Sequence, residues 1–209
     1  KNNGVRFSQA HHEHGYTATG PSHFALSSGQ HPGNGGVIGN QWFDRKLKRG
    51  WYCVEDTLSQ VLIDGSTGRS YRFVQSTTLG DWIKKDNPNS IVLSIAGKDR
   101  AAILHGGKNA DITLWYDKQG GWTSSTYYVS KLPNWVNTFN KQLNVPSYID
   151  SVWNPFLDNN VYINNTRPDY FVGEAKWSLG KYNPIFPIVI KAEFFSAFFA
   201  FNLIGIPGE

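Results

Sequence analysis

The chain has 209 residues, a formal net charge of +4 and a sequence pI near 9.1, enough length to bury a sizeable core. Hydrophobic residues make up 40% and charged residues 17%, which argues against general disorder. A single cysteine, Cys53, excludes an internal disulfide framework or a Cys-rich zinc module.

In chain order, Val5, Phe7 and Ala10 alternate enough to predict a short strand within 5–18, followed by a polar, His-rich approach. Thr19-Gly20-Pro21-Ser22-His23 reads as a helix entry, with proline near the first turn where its missing N–H costs nothing. Five residues from Gly29 to Gly36 are Gly or Pro and predict a loop over 27–36. The basic run Arg45-Lys46-Leu47-Lys48-Arg49 is local. A nucleic-acid binder would show a basic stripe interleaved with aromatics, so no nucleic-acid partner is expected and a solvated loop is. Residues 51–54 and 61–63 predict a strand or hairpin, and Gln75 to Lys85 an amphipathic helix with Leu79, Trp82 and Ile83 on one side. Ile91 to Ala96 is the clearest candidate for a buried strand, and a helix over Ala101 to Leu104 stops at Gly106-Gly107. Residues 113–116 and 126–129 bracket a turn at Gly120-Gly121 as a hairpin, and Pro133 to Leu143 forms a further helix. The apolar stretch Ile185 to Ile206 is broken by Pro187, Lys191, Glu193 and Asn202, so it predicts a strand and then a helix rather than a membrane span. Helices alternating with buried strands indicate an α/β domain.

Lys98 and Arg100 follow the Ile91–Ala96 strand at the edge where open α/β sheets place ligands. In an extended segment residues two apart point the same way, so both cations can converge on one anion. The competing setting is an exposed turn. Thr19, at a helix N-terminus, suits either a cap or a nucleophile served by unpaired N–H groups and the helix dipole. As a nucleophile it would need a base or a metal ion to activate it. His12 and His14 could share a face near Thr19 as metal ligands or as a polar strand end bordering a site. His23 reads as a structural group and Cys53 as a small buried side chain.

These residues match a family. Thr17-Ala18-Thr19-Gly20-Pro21-Ser22-His23, followed by Gly36-Val37-Ile38-Gly39-Asn40-Gln41-Trp42-Phe43-Asp44-Arg45, resembles the alkaline phosphatase superfamily, in its type I phosphodiesterase/nucleotide pyrophosphatase branch. Ser94-Ile95-Ala96-Gly97-Lys98-Asp99-Arg100-Ala101-Ala102 and Trp115-Tyr116-Asp117 look like the bacterial phosphate-irrepressible alkaline phosphatases, and Leu132-Pro133-Asn134-Trp135-Val136 fits the same group. The resemblance runs in order from residue 4 to 145 and thins over 146–209.

The resemblance implies an alkaline-phosphatase-like central sheet flanked by helices, with hairpin insertions, and residues 1–209 as one partial catalytic domain. It implies Thr19 as nucleophile and zinc ligand, Asn40 as a donor to a phosphoryl oxygen, and Lys98 and Arg100 as holders of the remaining oxygens. Two zinc ions are expected, with their other ligands outside this chain. The substrates implied are small phosphate monoesters, because a diester lacks the third charged oxygen that Lys98 and Arg100 would meet. A periplasmic or secreted bacterial location follows from the same resemblance. Residue 1 is Lys and methionine is absent, so a processed chain or a fragment is expected. The alternatives are a phosphodiesterase or nucleotide pyrophosphatase with the same nucleophile, and a non-catalytic, aromatic-rich binding module.

Overall fold

The computed structural model describes residues 3–117, 121–143, 145–171 and 185–190. The chain divides into two compact units, 1–117 with 121–137, and 118–120 with 138–209. Thr19, Asn40, Lys98 and Arg100 all lie in the first.

That unit begins with α1 (Thr19–Ser28) and a short α2 (Pro32–Gly35). No strand forms over 3–18, and Val5 and Phe7 stay 83% and 80% exposed. Alternation alone does not make a strand where no neighbour supplies a ladder. α1 ends at Gly29, whose left-handed φ of 65° lets its N–H reach Ala25 O, the glycine stop that the sequence advertised. Within the predicted loop, Pro32 starts α2 and His31 Nδ1 accepts from Gly33 N–H at 3.2 Å.

Two hairpins follow. β1 (Gln41–Asp44) pairs with β2 (Arg49–Tyr52), and β3 (Glu55–Gln60) with β4 (Thr67–Arg69), both antiparallel. The basic run forms the exposed turn of the first hairpin, where Asp44 Oδ1 accepts from the Lys46 and Leu47 amides at 2.8 and 2.9 Å. The predicted strands at 51–54 and 61–63 are therefore shifted. Cys53 and Val54, both fully buried, link the two hairpins, and Val61 makes only an isolated bridge to Ser125.

α3 (Leu79–Asp86) starts later than predicted, at a capping box formed by Thr78 and Asp81. Its face is also reversed, with Leu79, Trp82 and Ile83 exposed and Gly80 and Asp81 buried. Asp81 accepts from Thr78 N–H and from the Lys108 and Asn109 amides. That carboxylate, rather than the apolar stripe, docks the helix.

β5 (Leu93–Ala96) runs parallel to β6 (Ile112–Tyr116), α4 (Asp99–Gly106) makes the connection, and β7 (Trp122–Thr123) pairs antiparallel with β6. The sheet order is β5-β6-β7. The buried strand is β6, with Thr113 at 0% and Leu114 at 1% exposure, whereas Leu93 and Ile95 remain half-exposed. Among the described residues β5 pairs on one side only, so its apolar run does not bring burial. Residues 126–128 form a turn where a strand over 126–129 is expected, and Gly120 lies outside the described residues.

The core gathers Phe24, Val37, Val54, Ile103, Leu104 and Trp115. α1 docks on α4 through it, with Ser27 Oγ donating to Leu104 O at 2.7 Å. Gly35 is required by close approach, since a Cβ there would stand 1.9 Å from Phe24 Cζ. α5 (Asn134–Gln142) lies where the predicted helix was placed.

In the second unit a 3-10 helix (Val145–Tyr148) precedes β8 (Val152–Trp153) and α6 (Asn159–Asn165), and β8 pairs antiparallel with β9 (Ile188–Val189). The predicted strand after Ile185 appears as β9, and the helix predicted beyond it lies outside the described residues. Among the described residues no helix is long and apolar enough to cross a membrane. The architecture is mixed α/β, as expected.

Candidate active site

Thr19 is the first residue of α1 and is 2% exposed. The cap position belongs to Ala18, in extended conformation with ψ 164°. The N-cap setting weighed for Thr19 is thus occupied by its neighbour, and the Thr19 hydroxyl sits on the first turn, beside the positive end of the helix dipole. Pro21 follows within that turn. His23 Nδ1 lies 2.8 Å from Thr19 O and donates to it, and its ring packs 4.8 Å from that of His105. This is the structural role expected for His23.

Asn40 ends the loop after α2. Its Oδ1 accepts from Gly20 N–H at 2.7 Å. This bond fixes the orientation of the amide: the oxygen faces the first turn of α1, and the NH₂ group is the end able to donate elsewhere. Asn40 O in turn accepts from Cys53 N–H at 3.0 Å. A Cβ on Gly20 would lie 3.1 Å from Asn40 Oδ1, 3.2 Å from Cys53 Sγ and 3.3 Å from Gly39 O, so the 39–40 segment and Cys53 close tightly around this glycine. Burial first, and then the negative charge of Asp99, pushes the Cys53 thiol up to about 12. It is a neutral packing group, as expected.

Lys98 and Arg100 both lie at the start of α4, but not in the extended geometry expected. Lys98 is the extended N-cap residue (φ −113°, ψ 137°), whereas Arg100 already lies inside the helix. What they share is the N-terminus of α4, a position that favours anions. Arg100 Nη1 donates to Tyr52 Oη at 2.7 Å, and Tyr52 O–H donates to Asp99 Oδ1 at 2.5 Å. Asp99 Oδ1 also accepts from Arg100 N–H at 2.7 Å, and Asp99 Oδ2 from Arg69 Nε at 3.1 Å. Arg100 Nε is buried with no acceptor among the described residues. Burial opposes the charge on Arg100, but Tyr52 and Asp99 outweigh it and hold the guanidinium pKa above its ordinary value.

Sequence reasoning missed Tyr52, Asp99 and Arg69. In the sequence Tyr52 is one residue of an apolar strand, and no local signal marks a partner 48 residues away at Arg100. Asp99, lying between two cations, was the visible clue.

His12 and His14 do approach one another, with ring centroids 4.9 Å apart, and His14 Nε2 lies 3.4 Å from Ser22 Oγ. Burial, and then His12 and His31, hold the His14 pKa below its ordinary value. Among the described residues no three His, Cys, Asp or Glu are grouped so as to hold a metal ion.

The geometry defines a class: an α/β protein with Thr19 and Asn40 at the N-terminus of one helix and Lys98 and Arg100 at the N-terminus of another. The family model for type I phosphodiesterase/nucleotide pyrophosphatase matches residues 1–177. The chain is 38% identical over 156 residues to alkaline phosphatase PhoV of Synechococcus elongatus, covering 72% of this chain and 28% of that protein. It is 33% identical over 205 residues to alkaline phosphatase PafA of Elizabethkingia meningoseptica, covering 94% of this chain and 36% of that one. A crystal structure of wild-type PafA aligns with a TM-score of 0.73 at 33% identity, covering 82% of this chain and 34% of that chain. PafA has also been solved as a variant with one Thr, one Asn, one Lys and one Arg replaced. The chain belongs to the type I phosphodiesterase/nucleotide pyrophosphatase family. It spans about a third or less of the length of these relatives.

Proposed function

We propose that the chain carries the nucleophile and the phosphate-holding part of an alkaline-phosphatase-type phosphomonoester hydrolase. The observation that carries this reading is the Gly20 N–Asn40 Oδ1 bond, which holds a side-chain amide against the first turn of α1 with its NH₂ end able to donate. The names of the relatives support it, as does the PafA variant, whose four replaced residue types are those of Thr19, Asn40, Lys98 and Arg100.

In this mechanism the Thr19 hydroxyl loses its proton to solvent as Oγ1 attacks phosphorus in line, and the bond to the leaving oxygen breaks as that oxygen takes a proton from water. The phosphoryl group rests on Thr19 until a water molecule displaces it as inorganic phosphate and returns a proton to Oγ1. The N-terminal dipole of α1 favours both the alkoxide and the transferred group. Asn40 donates to one non-bridging oxygen, and Lys98 and Arg100 meet the others. Among the described residues the buried Arg100 Nε has no acceptor, and an incoming phosphoryl oxygen would supply one. A monoester dianion offers these cations a charged oxygen that a diester lacks, so the pair favours monoesters.

The reading also includes two zinc ions, with Thr19 as a ligand. The described residues do not make such a site by themselves, because no three metal-binding side chains are grouped among them. The protein is proposed to work in a periplasmic or secreted setting, by family resemblance. Residues 1–209 are proposed as part of one catalytic domain.

The test compares Lys98→Ala with Arg100→Ala on an aryl phosphate monoester and on the matching diester. Loss confined to the monoester supports the reading. Equal loss on both substrates, or a wild-type protein faster on the diester, would favour the phosphodiesterase instead.

A further inference from the structure

Asp99 presents a difficulty for any anion site at the start of α4. A carboxylate between Lys98 and Arg100 would cancel much of the charge that a phosphoryl group is to meet. The side chains around it remove that difficulty. Arg69 Nε pairs with Asp99 Oδ2 at 3.1 Å, and Tyr52 O–H and Arg100 N–H both donate to Oδ1. The carboxylate is therefore turned onto one cation and two hydrogen-bond donors, and the Arg100 guanidinium is 3.9 Å away from it rather than in a close pair. Instead, Arg100 Nη1 rests on the phenol oxygen at 2.7 Å.

We propose that Tyr52 is a positioning residue for Arg100: its hydroxyl accepts from Nη1 and donates to Asp99, which aims the guanidinium at the phosphoryl group and keeps it from collapsing onto Asp99. The proposal rests on the reading of Arg100 as a phosphoryl-holding residue. Three features support a positioning role over simple packing. The phenol both accepts and donates, so its proton direction is set by two charged neighbours. Burial, and then Asp99, raise the pKa of the phenol well above its ordinary value, so it stays a donor through the whole working range. Two guanidiniums also lie against its ring, with Arg69 Cζ at 5.2 Å and Arg100 Cζ at 5.7 Å from its centroid, which restricts where either cation can go. Ser125 Oγ completes the frame by donating to Arg69 O at 2.5 Å.

Tyr52→Phe keeps the ring and deletes only the hydroxyl. Without it Arg100 loses its acceptor and is free to turn onto Asp99. For a hydrogen bond to a charged group the expected loss is about tenfold in kcat/KM for an aryl phosphate monoester, with the diester changed by less than about twofold. A double-mutant cycle separates positioning from general damage, since Tyr52→Phe should cost nothing further in an Arg100→Ala background. Inorganic phosphate affinity, followed by the NMR signals of the arginine Nε–H groups, gives the same comparison without turnover. The expected result is weaker phosphate binding and a displaced Arg100 signal in Tyr52→Phe. Unchanged monoester kinetics, phosphate affinity and Arg100 signal in Tyr52→Phe, beside a clear defect in Arg100→Ala, would overturn the positioning role alone. An Arg100→Ala variant without any monoester or phosphate defect would overturn the reading beneath it. Additive losses in the cycle would also overturn the proposal, by showing that Tyr52 acts independently of Arg100.

Discussion

Asn40→Asp exchanges an amide NH₂ for a carboxylate oxygen while keeping the acceptor that Gly20 N–H reaches at 2.7 Å. The two ends of the side chain should then respond in opposite ways. At the helix end, a negative charge beside the first turn of α1 gains about 0.3–1 kcal/mol from the dipole, and the hydrogen bond to Gly20 becomes charge-assisted. Partial burial of the carboxylate offsets part of this gain. The melting temperature should therefore hold or rise, by no more than about 4 °C for a chain of this size. At the phosphoryl end, a donor becomes a repelling charge. Loss of one donor to a developing oxyanion costs about 10²–10³ in kcat, and repulsion adds to it. The assay is a thermal melt together with kcat/KM on an aryl phosphate and inorganic phosphate affinity. Asn40→Ala is the control: it loses the acceptor as well, which costs about 1 kcal/mol of stability, and should melt lower than Asn40→Asp. The reasoning is refuted if Asn40→Asp melts well below Asn40→Ala, or if it keeps phosphate affinity and turnover close to the unsubstituted protein.

Two further outcomes follow from the packing around this site. Gly35→Ala would place a methyl 1.9 Å from Phe24 Cζ, where α1 and α2 meet, so it should destabilise by at least the 1–3 kcal/mol (about) typical of overpacking, read as a lower denaturant midpoint. A shorter side chain at position 24 should recover part of the loss. The Cys53 thiol, pushed up to about 12 from an ordinary 9.0, is neutral in the folded protein at pH 8. It should resist iodoacetamide until the chain unfolds. Because its folded pKa lies above its unfolded one, its contribution to stability is complete below pH 9 and is lost as pH rises from there toward 12. Cys53→Ala should shallow the alkaline decline in stability, and an identical decline would contradict this assignment.

The helix over Thr19–Ser28 was legible because its signals are local: a proline in the first turn and a glycine at the stop. The glycine stop of α4 was legible in the same way, but the helix starts at Asp99 rather than at Ala101. The faces and partners were less legible because they are set by residues distant in sequence. The apolar side of α3 points outward, since Asp81 is claimed by the Lys108 and Asn109 amides. β5 carries the more conspicuous apolar run, but β6 has neighbours on both sides and is the buried strand. At the candidate site, motif resemblance points to Thr19 and Asn40, whereas spacing alone would leave Thr19 a cap. Lys98 and Arg100 do fall together at the start of α4, but not in the extended geometry expected, because Arg100 is helical. Tyr52, which holds Arg100, could be found only once the first hairpin had brought it beside α4.

The most direct test of the account is chemical. Protein quenched during turnover of an aryl phosphate and digested for mass spectrometry should carry a phosphoryl group on the peptide containing Thr19. That modification and the turnover should both vanish in Thr19→Ala. Turnover of the same substrate by Thr19→Ala at the unsubstituted rate would contradict the account.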